Sequence, residues 1–182
     1  MTENRAVGFR DADAQAVLAA IDADETIAFL QSLVRVPSVN PPGDVVEAVR
    51  ACRVPLDGAG FAVQEFTHAP GKPNLVATWG NPEGPQLAFN AHLDVVPIGD
   101  EAAWQYPPFG GQIANGRVYG RGAGDDKASV TAQVMGAVAL ARQTLLDTRW
   151  YRDVWRAHDG DPRLPEPEQN DALARLIQLE DD

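Results

Sequence analysis

The chain is 182 residues long, 45% apolar and 23% charged, a mixture that excludes wholesale disorder and supplies enough apolar surface for a folded core. Acidic groups outnumber basic ones 26 to 15, for a formal net charge of -11, so repulsion argues against nucleic acid and anionic membrane as partners. Cys52 is the sole cysteine, which excludes an internal disulfide and makes a cytoplasmic setting the expectation.

Met1 to Ala14 has no basic start followed by an apolar core, so no signal peptide is expected there. No apolar run reaches the roughly 20 residues that a bilayer span needs. From Asp24 to Val36, Ile27, Leu30, Leu33 and Val34 fall on one stripe, the spacing of an amphipathic helix. Asp24 is placed to cap it and Pro37 to stop it. Asn40-Pro41-Pro42-Gly43 reads as a loop, followed by a second helix from Asp44 towards Gly60 with Val45, Val46, Val49 and Leu56 inward. Pro55 should kink or break that helix early, because an interior proline removes a hydrogen bond.

After Gly60 the rhythm changes to period two. Phe61 to Phe66, Asn74 to Trp79 and Gln86 to Asn90 read as strands, the last two joined by the turn Asn81-Pro82-Glu83-Gly84-Pro85. A proline-rich loop runs from Ile98 to Gly111. Gln112 to Tyr119 reads as a tight hairpin, since Asn115-Gly116 suits a type I′ turn. Gly120-Arg121-Gly122-Ala123-Gly124 then leads into a helix from Asp126 to Arg142, with Val130, Val134, Ala137, Val138 and Ala141 on its apolar face. Beyond Arg142 the character shifts. Trp150, Tyr151 and Trp155 crowd among charges, prolines follow, and a short helix is expected over Asp171 to Leu179. Residues 1–142 therefore read as an α/β unit and 143–182 as an appended, divergent tail.

Two constellations carry chemistry. The strand Leu87-Ala88-Phe89 delivers His92 at its C-terminal end, where ligands collect in open α/β sheets, and Asp94 stands two residues on. Imidazole binds zinc through one nitrogen while a carboxylate orients the ring through the other, although a structural histidine at a strand end would look the same. The second constellation is Gly120 to Lys127, a flexible backbone followed by Asp125, Asp126 and a lysine at a helix start. A carboxylate held there could bridge two metal ions. Asp126 has an ordinary competing role as helix cap, and Lys127 one as a neutralising charge. A dinucleotide-binding loop is excluded on chemical grounds, because the two aspartates would sit where phosphates go.

Taken together, Leu33 to Ser38, Phe89 to Pro97, Trp104, Pro107 to Gly111 and Val118 to Lys127 resemble the acetylornithine deacetylase and succinyl-diaminopimelate desuccinylase family of zinc metallopeptidases. That family also includes aminoacylases, carnosinases and glutamate carboxypeptidases. The resemblance covers about Ile27 to Arg142, with the segments in order and at the expected spacing. It implies that His92 is a ligand of one zinc, that Asp94 orients it from behind, and that Asp125 bridges two zinc ions, with cobalt a possible substitute. It implies an α/β catalytic domain with a mostly parallel sheet flanked by helices. The implied chemistry is attack of a metal-bridging water, deprotonated by a glutamate, on the amide of an N-acyl amino acid or small peptide.

The pattern departs at several points. Family members run about twice as long and continue with a Glu-Glu pair, whose first member is the general base, and with a late histidine. This sequence has no Glu-Glu pair, and Ala128 stands where the family usually has glycine. His158-Asp159-Gly160-Asp161 and Glu180-Asp181-Asp182 read as a solvated loop and a charged chain end. The expectation is a domain incomplete at its C-terminal side, truncated or frameshifted after Arg142, inactive alone and prone to self-association. The alternative is a non-catalytic fragment or interaction module anchored by Trp150 and Trp155.

Overall fold

The computed structural model describes residues 11–80 and 86–157, with side chains described from 14 to 143 within those ranges. Four helices carry the fold: α1 (Asp11–Ala19), α2 (Ala23–Val34), α3 (Val46–Gly58) and α4 (Lys127–Ala157). Two antiparallel hairpins join them, β1 (Ala62–Ala69) with β2 (Lys72–Thr78), and β3 (Gln112–Ala114) with β4 (Arg117–Tyr119). No described helix is long and apolar enough to cross a membrane.

Helix α2 is capped by Asp22, whose carboxylate accepts the Glu25 N–H at 2.9 Å, rather than by Asp24. Asp24 lies instead in the first turn, where negative charge faces the positive end of the helix dipole. The face it buries is carried by Phe29, Leu33 and Val34, while Ile27 is exposed. The inward stripe is thus turned from the expected one, with Phe29 in the place of Ile27. Helix α3 runs through Pro55 without a break. The proline lies in the last turn, so few residues remain beyond it for the lost hydrogen bond to disrupt.

Period two shows in β2, where Pro73, Leu75 and Ala77 turn inward and Asn74, Val76 and Thr78 face solvent. Leu75 and Ala77 pack with Phe61, Val63 and Trp79 on Leu56, Val138 and Ala141. A neighbouring cluster joins Phe29, Leu33, Cys52, Val130 and Met135. The core is therefore a layer of α2, α3 and α4 with the β1–β2 hairpin laid over it. Cys52 is buried in that layer, which pushes its thiol up to about 12.

The third expected strand does not form a ladder. Gln86 to Asn90 carries no strand and lies outside any described sheet, with Leu87 81% and Phe89 61% exposed. A strand needs a neighbour on its hydrogen-bonding edge, and no described ladder includes this segment. The described ladders are antiparallel, so the expected mostly parallel sheet is not among them. Parallel pairing appears as one isolated bridge, Val39 to Val95. Helix α4 also differs from expectation, continuing past Arg142 to Ala157. The predicted helix at Asp171 to Leu179 and the His158 cluster lie outside the described residues, as do the side chains of Trp150 and Trp155.

Candidate functional site

The segment carrying His92 and Asp94 is spliced to the end of α2. Val95 N–H donates to the Ser38 carbonyl at 2.9 Å, and Asn40 N–H donates to the Val95 carbonyl at 2.8 Å. Ser38 is fully buried, and its hydroxyl donates to the Leu93 carbonyl at 2.6 Å. These bonds leave the His92 side chain at the surface on a backbone held from one side.

The glycine-rich loop is brought against this segment by close approach. Gly122 has a positive φ of 79°, and a Cβ there would overlap the Val95 side chain. At Gly120 a Cβ would overlap Val34 and crowd the Pro108 carbonyl. Only glycine lets the loop lie this close. Asn115 and Gly116 take positive φ of 49° and 71°, as a type I′ turn requires, so the β3–β4 hairpin enters the loop in the register expected.

Lys127 does not neutralise the aspartates. It is fully buried, and its ammonium donates to the Val36 carbonyl at 2.8 Å, just past the end of α2. Burial pulls its pKa down to about 8. The lysine therefore pins the start of α4 to the end of α2 from inside. Asp126 bonds the Ser129 side chain and accepts the His92 N–H at 3.3 Å; these bonds hold its carboxyl below the usual range. The Asp125–Asp126 peptide is cis.

His92, Asp94 and Asp125 come together here. The His92 Nδ1 lies 3.0 Å from the Asp94 carbonyl and 3.3 Å from its carboxylate. Both partners only accept, so with a hydrogen on Nδ1 the ring donates to Asp94, and a neutral ring in that tautomer has a bare Nε2. The Asp94 carboxylate is itself held by the Asn40 amide, which donates to Oδ2 at 2.7 Å. On the other side, Nε2 lies 3.3 Å from Asp125 Oδ1, and the Asp125 side chain is 93% exposed. Burial draws the His92 pKa down, but the Asp94 carbonyl and the carboxylates of Asp126, Asp94 and Asp125 outweigh it, and the net shift is upward.

Two ligands of one tetrahedral zinc at ~2.1 Å each stand roughly 3.3 Å apart, so Nε2 and Oδ1 are spaced as such a pair. The donor set stops there. Among the described residues no group of three His, Cys, Asp or Glu side chains is arranged to hold a metal ion. The residues fit the first half of a zinc site. The cleft around them encloses about 280 Å³. Asn40 and Arg121 line this cleft, with Trp104 lying against Arg121, and none of the three was expected as a site residue from sequence. The signal for Asn40 was its place just after Ser38, on the far side of the bridge to Val95.

Residues 88–149 match the profile of Peptidase family M20/M25/M40. The chain is 39% identical over 142 residues to a protein named succinyl-diaminopimelate desuccinylase from Cereibacter sphaeroides, covering 75% of this chain and 36% of that one. It is 40% identical over 119 residues to a protein of the same name from Xanthobacter autotrophicus, covering 64% of this chain and 31% of the relative. The chain thus spans about a third of the length of the curated relatives it matches.

Proposed function

We propose, from the match of residues 88–149 to Peptidase family M20/M25/M40, that the chain is the metal-site-bearing part of a metal-dependent amide hydrolase. The substrates are N-acyl amino acids or small peptides, with N-succinyl amino acids the first to test, after the names of the relatives. The observation that carries this reading is the spacing of 3.3 Å between His92 Nε2 and Asp125 Oδ1, with the far side of the ring tied to Asp94.

In this reading His92 and Asp125 hold zinc, with cobalt as a substitute, and Asp94 fixes the ring tautomer so that Nε2 faces the ion. Bound zinc would supply a Lewis acid that polarises the amide carbonyl and lowers the pKa of water. The remaining ligands come from outside the described residues and the sequence has no Glu-Glu pair to supply the glutamate base, so the isolated chain is inactive, and residues 1–142 and 143–182 are separate in role. Gln86 to Val95 becomes a strand of a mostly parallel sheet in the complete domain, a placement supported by the parallel bridge at Val39 and Val95. The setting is cytoplasmic.

Metal content after dialysis against zinc-buffered solution tests the reading, with His92→Ala as the control. About two zinc ions per chain, lost in the variant, would mean that the missing ligands are supplied by the tail or a partner. Zinc retained equally by both proteins would remove His92 from the metal role, and zinc retained by neither would favour a non-catalytic fragment. A second reading is favoured by one observation, the exposure of Leu87 and Phe89 on a segment outside any described ladder. There the chain acts without catalysis, associating with itself or another polypeptide through that edge.

A further inference from the structure

The β3–β4 turn carries chemistry of its own. Among the asparagines of the chain, Asn115 alone is followed by glycine. Asn40 and Asn81 precede prolines, which have no backbone N–H, and Asn74 and Asn90 precede Leu75 and Ala91. Asn115 and Gly116 are both exposed, and a Cβ at Gly116 would meet nothing within 4 Å. Neither the Asn115 side-chain amide nor the Gly116 N–H is engaged in a hydrogen bond among the described residues. The strands on either side, Gln112–Ala114 and Arg117–Tyr119, have three residues each, so opening the turn disrupts little.

An asparagine before a glycine holds an electrophile and a nucleophile side by side. When the Gly116 nitrogen attacks Asn115 Cγ, the N–Cγ bond forms and the Cγ–Nδ2 bond breaks. Nδ2 departs as ammonia, taking up the proton that Gly116 gives away. Glycine favours this step because no side chain hinders its nitrogen and its backbone turns freely. Water then opens the five-membered ring on either side of the shared nitrogen. Breaking the N–Cγ bond gives an ordinary aspartyl residue, and Asp-Gly suits the same turn. Breaking the bond to the backbone carbonyl gives an isoaspartyl residue, whose main chain runs through the former side chain and gains one carbon. The two-residue turn fixes the pairing of Ala114 with Arg117, and the longer link cannot close it in that register. Tyr119, whose ring lies 4.8 Å from that of Tyr106, ends the hairpin, and Gly120, where a Cβ would overlap Val34, follows it. We propose that Asn115 is a site of spontaneous covalent modification, and that its isoaspartyl product unfastens the hairpin leading into the glycine-rich loop of the cleft.

The test is to age the full chain at mildly alkaline pH and follow each asparagine by peptide mapping with mass spectrometry. Conversion at Asn115 should run at least about tenfold faster than at Asn74 or Asn90 and should give both products. Conversion at Asn115 no faster than at those two overturns the proposal, and so does an aspartyl product alone. NMR of the aged, isotopically labelled chain reads the structural consequence. Two new sets of signals should grow for Gly116 to Tyr119, one coinciding with those of Asn115→Asp and the other displaced as far as Tyr119. Displacement that stops at Arg117, or that is equal in both sets, overturns the unfastening. If Asn115→Asp does not fold, a methyltransferase specific for isoaspartyl carboxylates should move the displaced set alone, which assigns it without the variant. Neither measurement needs bound metal, so its outcome stands apart from zinc retention.

Discussion

Arg142 reaches back 117 positions to Glu25 and grips it with two hydrogen bonds, of 2.6 and 2.9 Å, one to each carboxylate oxygen. The pair ties α4 to the first turn of α2, so the position where the sequence changes character is also a point of attachment. Hydrogen bonding from Arg142 holds the Glu25 carboxyl below its ordinary range. Its folded pKa is therefore below the unfolded one. The stability it contributes is fully present above the ordinary value of 4.5 and is lost as pH falls through the lower folded value. Both side chains are about two-fifths exposed, so Glu25→Gln should cost less than ~1 kcal/mol at neutral pH. Urea unfolding at pH 7 and at successively lower pH checks this, since the difference between wild type and variant should shrink as pH falls through the folded value.

Gly122→Ala should damage the site more than the size of one methyl suggests. The new Cβ overlaps Val95 and the backbone has a positive φ, so a cost of about 1–3 kcal/mol is expected. Thermal unfolding measures the loss. Gly124→Ala, where a Cβ meets nothing within 4 Å, is the matched control and should stay close to wild type.

Asn40→Ala removes the donor that holds the Asp94 carboxylate and leaves the other contacts of the histidine in place. If Asp94 orients a metal ligand, zinc affinity should fall about 10- to 100-fold with little change in stability. Competition with a chromophoric chelator reads the affinity, and circular dichroism the fold. Unaltered affinity would detach Asp94 from the metal role.

Phe89→Lys should reduce self-association without a stability cost beyond about 0.5 kcal/mol, because Phe89 is exposed and outside any described ladder. Light scattering across a concentration series measures the effect. Persistence of the same association in the variant would move the contact elsewhere on the molecule.

Local signals were legible where the outcome depends on neighbours in the chain. Asn115-Gly116 specified its turn, and alternation located β1 and β2 to within three residues. Period 3.6 located α2 and α3 but misjudged their details: three nearby residues, Asp22, Ala23 and Asp24, offer two caps, and only the fold decides between them. Contacts between distant segments were not legible. That Lys127 turns inward to Val36 rather than outward to the aspartates depends on where α2 ends relative to α4. The unladdered stretch at Gln86 to Asn90 has the composition of a strand, and composition cannot show whether a neighbour is there to pair with. In the site, the triple of His92, Asp94 and Asp125 was readable from its motifs, whereas the Trp104 support under Arg121 came from packing alone.

The solitary thiol of Cys52 offers a clock that needs no engineered label. Sealed between helices and kept protonated by its surroundings, it is invisible to alkylating reagents while the three-helix layer is shut. Every modified molecule must therefore have opened that layer first. Mass spectrometry of the whole chain after timed exposure counts those openings one by one, and adding zinc or a partner strand should slow the count in proportion to how firmly either holds the layer together.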